Sequence, residues 1–227
     1  VVERIIKKLE DLKNTKVEKQ PLLPTENNVL KTFSIENEPV VELVNNRERE
    51  YIFADLPDIG YSTDIDTVMA SSYQVKKQLQ QIVKIEQPIT NTLLYKRILR
   101  IWNLTRVTTR LQVFIDSLLE DAYKDPLSGD TIIYWENKEK AKECDFYRIN
   151  SKRDILDIPI LEVMSAARYA IEQQISMPIE DLKRLTSQLL GFSRKGNNLD
   201  MVTEQTIQLL INKGIFSHAN GMVSMNN

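Results

Sequence analysis

The sequence predicts a mainly α-helical chain with small β wings, built as two tandem units behind an irregular N-terminal connector. Three observations carry that expectation. The octet Leu104-Thr105-Arg106-Val107-Thr108-Thr109-Arg110-Leu111 is echoed by Phe192-Ser193-Arg194-Lys195-Gly196-Asn197-Asn198-Leu199. Each octet stands between two segments whose apolar residues recur at helical spacing, and each follows a Pro-Ile pair, Pro88-Ile89 and Pro178-Ile179. Each unit then closes on residues that read as a short hairpin. A repeat on this scale marks a duplicated supersecondary unit rather than one large catalytic core. Helix, turn, helix, short polar turn, helix, hairpin is the outline of a winged helix-turn-helix. The expected boundaries are 1–71 for an N-terminal helix and connector, 72–152 for the first unit and 153–227 for the second.

Residues 1–14 are amphipathic, with Val2, Ile5, Ile6, Leu9 and Leu12 at helical spacing. The next fifty or so residues hold Pro21, Pro24, Pro39 and Pro57 and sustain no period. Val40-Val41-Glu42-Leu43-Val44 and Tyr51-Ile52-Phe53-Ala54 are short runs suited to strands or extended arms. In the first unit, Val75, Leu79, Ile82 and Val83 stripe a helix that ends near Gln87-Pro88. Thr90 or Asn91 caps a second helix, whose inward face is Leu94, Ile98, Ile101 and Trp102. Thr105 is the expected cap of a third helix carrying Leu111, Phe114, Ile115, Leu118 and Leu119, broken by Asp125-Pro126-Leu127-Ser128-Gly129-Asp130. Thr131 to Trp135 reads as a strand with Phe146 to Ile149 as its partner, and the charged run 136–143 as the wing tip. The second unit repeats this order: a helix over 161–174, one begun by Ser176-Met177-Pro178, and one over about 198–213. Gly191 and Gly214 are the expected C-terminal stops, and Asn220-Gly221 the turn of a closing hairpin.

Composition narrows the function. The chain has 227 residues, 42% of them hydrophobic and 27% charged, which is ordinary for a globular protein. It contains no apolar run long enough to span a bilayer and no signal-peptide layout. The single Cys144 excludes an intramolecular disulfide and suits a reducing cytoplasm, so a cytoplasmic location is expected. Val1 in place of an initiator Met predicts a piece of a longer polypeptide. One histidine, His218, and one cysteine are too few for a nucleophilic triad or a zinc site. Asp64-Ile65-Asp66 would place two carboxylates on one side of a strand, without a recognisable third ligand. No phosphate-cradling glycine loop of the P-loop kind occurs. No catalytic residue, metal or cofactor is expected in this chain.

The net charge of −2 hides an asymmetry. Between Gln87 and Ile115 stand Lys96, Arg97, Arg100, Arg106 and Arg110, and no acid. Arg106 and Arg110, one turn apart at the expected start of the third helix, would share an outward face. Thr105, Thr108 and Thr109 add hydroxyls suited to phosphate oxygens, and Lys96, Arg97 and Arg100 would flank a nucleic-acid backbone. The matching places in the second unit are Ser193, Arg194, Lys195, Asn197 and Asn198. The candidate nucleic-acid-binding residues are therefore Lys96, Arg97, Arg100, Thr105, Arg106, Thr109, Arg110, Arg194, Lys195 and Asn198. The alternative is that these bases are a solvated or ion-paired face of a module for protein interaction or scaffolding. Cleavage by the chain itself would require the connector acids to bind metal.

At Ile85-Glu86-Gln87-Pro88-Ile89, Leu94-Tyr95-Lys96-Arg97-Ile98 and Trp102-Asn103-Leu104-Thr105-Arg106, the sequence resembles a domain of unknown function. That domain stands at the C-terminus of large bacterial superfamily I helicase-related proteins. Leu189 to Arg194 and Leu209 to Gly214 fit the second half of its pattern, and the resemblance spans about residues 72–216. Where the family usually carries glycine, Asn103 and Thr108 or Thr109 stand here. The resemblance implies an upstream ATP-driven helicase core and a restriction-endonuclease-like domain, with residues 1–14 as its tail or linker. ATP hydrolysis and strand cleavage would belong to those parts. The expected partners are DNA and those upstream domains, with no membrane; the sequence leaves oligomeric state open.

Overall fold

In a computed structural model residues from Val44 to Asn227 form one compact unit. The structure describes residues 45–61, 63–125, 131–149 and 152–226. The amphipathic segment 1–14, the Val40–Val44 run and the break at 126–130 lie outside the described residues. What is described is mainly helical with small sheets.

Strand β1 (Glu48–Glu50) opens it, followed by an extended arm and helix α1 (Ile65–Ala70). Then come α2 (Ser72–Glu86), β2 (Ile89–Thr90), α3 (Asn91–Ile101), α4 (Thr109–Leu118), β3 (Tyr123–Lys124) and β4 (Ile133–Trp135). A connecting stretch holds a short helix α5 (Lys138–Lys142), strand β5 (Tyr147–Ile149) and a 3-10 turn at Ile155–Asp157. Last come α6 (Ile160–Glu172), β6 (Met177–Pro178), α7 (Ile179–Leu189), α8 (Asn197–Asn212), β7 (Phe216–Ala219) and β8 (Met222–Met225). The order helix, strand, helix, helix, strand, strand therefore occurs twice. Both antiparallel sheets also have the same strand order, β2-β4-β3 and β6-β8-β7.

Each helix forms where an apolar stripe meets a cap. Thr90 accepts from the Leu93 amide at 3.3 Å and Thr108 from Leu111 at 3.2 Å, satisfying amides that have no partner inside the helix. Val75, Leu79 and Ile82 of α2, Leu94 and Ile98 of α3, and Leu111 and Ile115 of α4 are fully buried together. Tyr51, Ala54 and Val68 join that core, so the arm before α1 packs on the first repeat. Asp116 on α4 accepts from the hydroxyls of Tyr95 (2.8 Å) on α3 and Tyr134 (3.0 Å) on β4, tying three elements at one carboxylate. The second repeat has its own core of Ala167, Ala170, Ile171, Leu182, Ile207, Leu210, Phe216 and Val223.

Several expectations are corrected. The third helix of the first repeat starts at Thr109, capped by Thr108, not at Thr105. The Leu104 amide is used to close α3 on the Leu99 carbonyl (2.9 Å), and the chain needs Thr105 to Val107 to turn before a new helix starts. Arg106 therefore lies in a loop and not one turn before Arg110 on a helix. Strand β4 pairs with β2 and β3, whereas β5 pairs in parallel with β1. Phe146–Ile149 is thus not its hairpin partner, and the run 136–143 is no hairpin tip but holds α5, capped by Asn137. Asp64 and Asp66 are not on a strand. Asp64 caps α1 by accepting from Thr67 (2.8 Å), and Asp66 sits in its first turn. Met177 and Pro178 pair with Val223 and Met222 before α7 begins, so Pro178 caps that helix from a strand. The two Pro-Ile pairs consequently fall at different places in the two repeats, Pro88 before β2 and Pro178 within β6.

A buried polar network joins the repeats. The Arg148 guanidinium donates to the carbonyls of Glu86 (2.8 Å), Gln87 (3.2 Å) and Pro88 (2.6 Å), which close α2, and to Glu162 on α6 (3.1 Å from Nε). Arg153 reaches the same Glu162 carboxylate at 2.8 and 3.0 Å. Burial opposes the charge on Glu162, but the two guanidiniums outweigh it and hold its carboxyl below the usual range. Tyr51 lies beneath both, with Arg153 4.0 Å and Arg148 4.6 Å from its ring centre. Its hydroxyl donates to Glu86 at 2.6 Å. Burial, and then the Glu86 charge, push that phenol up.

Candidate nucleic-acid interface

The loops between the second and third helices of the two repeats correspond at a constant offset of 88 residues, from Leu104 to Phe192. The backbone bonds that open them correspond. Asn103 (φ 48°) and Gly191 (φ 87°) end α3 and α7 in the left-handed conformation. Leu104 donates to the Leu99 carbonyl (2.9 Å) and Phe192 to Ser187 (3.0 Å); Asn103 donates to Arg100 (3.2 Å) and Gly191 to Gln188 (2.9 Å). This pair of bonds is the Schellman closure, made twice. Leu104 and Phe192 are half-buried anchors, and the next two residues of each loop, Thr105-Arg106 and Ser193-Arg194, are exposed. Thr108 and Gly196 both stand as extended residues before the following helix. Asparagine tolerates the left-handed turn at 103 better than most side chains, so the turn forms there without glycine.

Arg106 and Arg194 thus occupy equivalent places. Neither side chain has an ion pair or hydrogen bond among the described residues. Each stands just before the N-terminus of α4 or α8, where free amides and the helix dipole favour an anion. Thr105, Thr109, Lys195 and Asn198 are also exposed beside them. Arg100, on the last turn of α3, is exposed and lines a cleft of about 890 Å³ with Lys96 and Lys152, but Glu50, Asp55 and Asp58 line it too.

Three of the expected bases are engaged elsewhere. Arg97 is turned inward and 9% exposed, because it shares the α3 face of Leu93, Leu94, Ile98 and Ile101. Its Nε donates to the fully buried Glu86 at 2.9 Å. Lys96 gives both oxygens of the buried Asp157 a contact of 2.7 Å, which ties α3 to the turn before α6. Arg110 meets Asp66 of α1 at 2.6 Å, with both side chains more than half exposed. Such a pair in water holds weakly.

Sequence reasoning missed the acids that face the second loop. Lys183 of α7 is buried against Asp200 (2.8 Å) and Glu204 (3.0 Å) of α8 and Glu180 (3.4 Å) of its own helix. Burial opposes its charge, and the bonds to Asp200 and Glu204 overcome that and push the ammonium up. Glu180 and Asp200 line the groove of Arg194 and Lys195, so the second loop is less electropositive than its own residues suggest. No signal in the chain links Lys183 to residues on another helix. The outer face of α4 is also less polar than expected. Val113 is 64% exposed and borders a shallow depression with Met69 and Phe114.

Cys144 is half-buried, and burial followed by the Glu162 charge pushes its thiol up to about 12, which keeps it un-ionised near neutrality. Hydrogen bonds from Thr67 lower the Asp64 carboxyl, as befits a helix cap. Among the described residues no helix is long and apolar enough to cross a membrane. Over residues 70–113, from the end of α1 into the first half of α4, the chain matches the model of a family described as "Protein of unknown function (DUF3320)". No curated protein matches the chain, and no solved structure does.

Proposed function

We propose that the chain is a non-catalytic accessory module that contacts DNA mainly through phosphates, built as two tandem winged helix-turn-helix units. The observation that carries this is the duplicated loop, which presents at the same place before each third helix an arginine without a partner among the described residues. In a winged helix-turn-helix that position lies against the backbone beside the major groove. Phosphate contacts position a protein without reading sequence, so preference for shape over sequence is expected. By its resemblance to the C-terminal domains of helicase-related proteins, the module would serve an upstream helicase core and nuclease domain, which would supply ATP hydrolysis and cleavage in a cytoplasmic setting.

Fluorescence anisotropy with duplex and single-stranded DNA over a range of salt tests this. The expected result is a dissociation constant that rises linearly with salt on logarithmic axes. A weak affinity independent of salt would contradict phosphate contact. A second function, docking of a protein partner, is favoured by the exposed Val113 beside Met69 and Phe114. It predicts that Val113→Asp abolishes co-purification with upstream domains while leaving DNA affinity intact.

A further inference from the structure

The two third helices are not equally open. At the offset of 88 residues, Arg110, Val113 and Ser117 on α4 correspond to Asn198, Met201 and Gln205 on α8. On α4 that face is bordered by α1: Asp66 pairs with Arg110 at 2.6 Å, and Met69 lines one depression with Val113 and Ser117. Val68, next to Met69, is fully buried in the first core, so α1 is fixed there. The stretch before α6 does not cover α8 in this way, because Asp157, 88 residues after Met69, is turned in to Lys96 of α3 at 2.7 Å. Asn198, Met201 and Gln205 are exposed, and neither amide has a hydrogen bond among the described residues.

The acids of α8 stay to one side of that face. Lys183 and Glu204 meet where Tyr95 and Asp116 meet in the first repeat, an interhelical tie made twice with different groups. Asp200, one turn earlier, holds the same ammonium at 2.8 Å. Both charges are thus drawn toward α7, and the side chains left outward are neutral. Asn198 to Gln205 covers about 10 Å of helix axis, close to about three base-pair steps. An amide side chain both donates and accepts, which matches the amino group and N7 that adenine shows in the major groove, and an apolar side chain suits the thymine methyl. The face also runs on directly from the loop of Arg194. We infer that α8 enters the major groove of duplex DNA and selects adenine through Asn198 and Gln205, with Met201 against a thymine methyl, while the first repeat holds backbone only. Given the DNA contact proposed above, on which this depends, Arg194 seats the helix, charge sets the affinity and the amides add a modest preference.

The test selects duplexes with a randomised core on the full chain and measures the enriched ones by fluorescence anisotropy. The expected result is adenine enriched at particular positions, with affinity falling about fivefold when 7-deazaadenine, which lacks the N7 acceptor, replaces it. Asn198→Ala or Gln205→Ala should weaken binding to the selected duplex by a similar factor. Neither should change affinity for an unrelated duplex or the salt slope, since neither amide meets a phosphate. Both residues are exposed, so the variants should melt with the wild type. Val113→Ala on α4 should leave the enrichment as it is. Salt-dependent binding without base enrichment, enrichment that survives both amide substitutions, or indifference to 7-deazaadenine would each overturn base reading by α8 while phosphate contact stands. Duplex binding that does not depend on salt would overturn both.

Discussion

Arg97 and Arg106 belong to one acid-free stretch of the sequence, and the fold sets them to opposite tasks. Arg97 bonds the buried Glu86, and Arg106 stands in a loop without a partner among the described residues. Arg97→Ala would leave the Glu86 carboxylate buried and uncompensated, a loss of about 3–5 kcal/mol by denaturant unfolding. The salt slope of DNA binding in the fraction still folded should not change. Arg110 differs again, since its exposed pairing with Asp66 would compete with the proposed phosphate contact. Asp66→Asn should therefore tighten DNA binding about two- to threefold at low salt, with the gain disappearing as salt screens the pair. The inward turn of Arg97 is readable in the sequence, where it falls on the same helical stripe as Leu94, Ile98 and Ile101. The pairing of Lys96 with Asp157 and of Lys183 with Asp200 is not, because those partners meet only in three dimensions.

Helices were legible because stripe, cap and stop agree over ten or more residues. α2, α3, α6, α7 and α8 begin within a few residues of their expected starts. The element that moved most was α4, where Thr105 and Thr108 are both competent caps and only the closure of α3 selects between them. Strands β2, β3 and β6 span two residues each, too few to show alternation, and the pairing of β5 with β1 joins residues about a hundred apart. The third helices also differ in their caps: the Thr108 hydroxyl accepts from the Leu111 amide, whereas Gly196 has no side chain to do so. Gly196 is extended and a Cβ there would meet nothing within 4 Å. Gly196→Ser should accordingly stabilise the chain by about 0.5–1 kcal/mol, through a new cap and a stiffer unfolded chain, readable as a rise in denaturation midpoint.

At the scale of the molecule, two repeats with separate cores are held together by charge. Glu162 of the second repeat binds Arg148 and Arg153 of the connector, and Arg148 binds the carbonyls that end α2 of the first. The Glu162 carboxyl is held below its ordinary value of 4.5, so its contribution is fully present above that pH and is lost as pH falls through the lower folded value. Stability should thus fall on acidification below about 4.5, and Glu162→Gln should flatten that limb while lowering stability near neutrality by about 3–5 kcal/mol. A rigid joint of this kind would hold the two arginine loops in a fixed relation to one nucleic acid. The most direct measurement is the salt dependence of duplex binding by the wild type, Arg106→Ala, Arg194→Ala and the double variant. Two working phosphate contacts predict a slope reduced by about one for each substitution and about two for both. Four chains with the same slope and the same affinity would contradict the account.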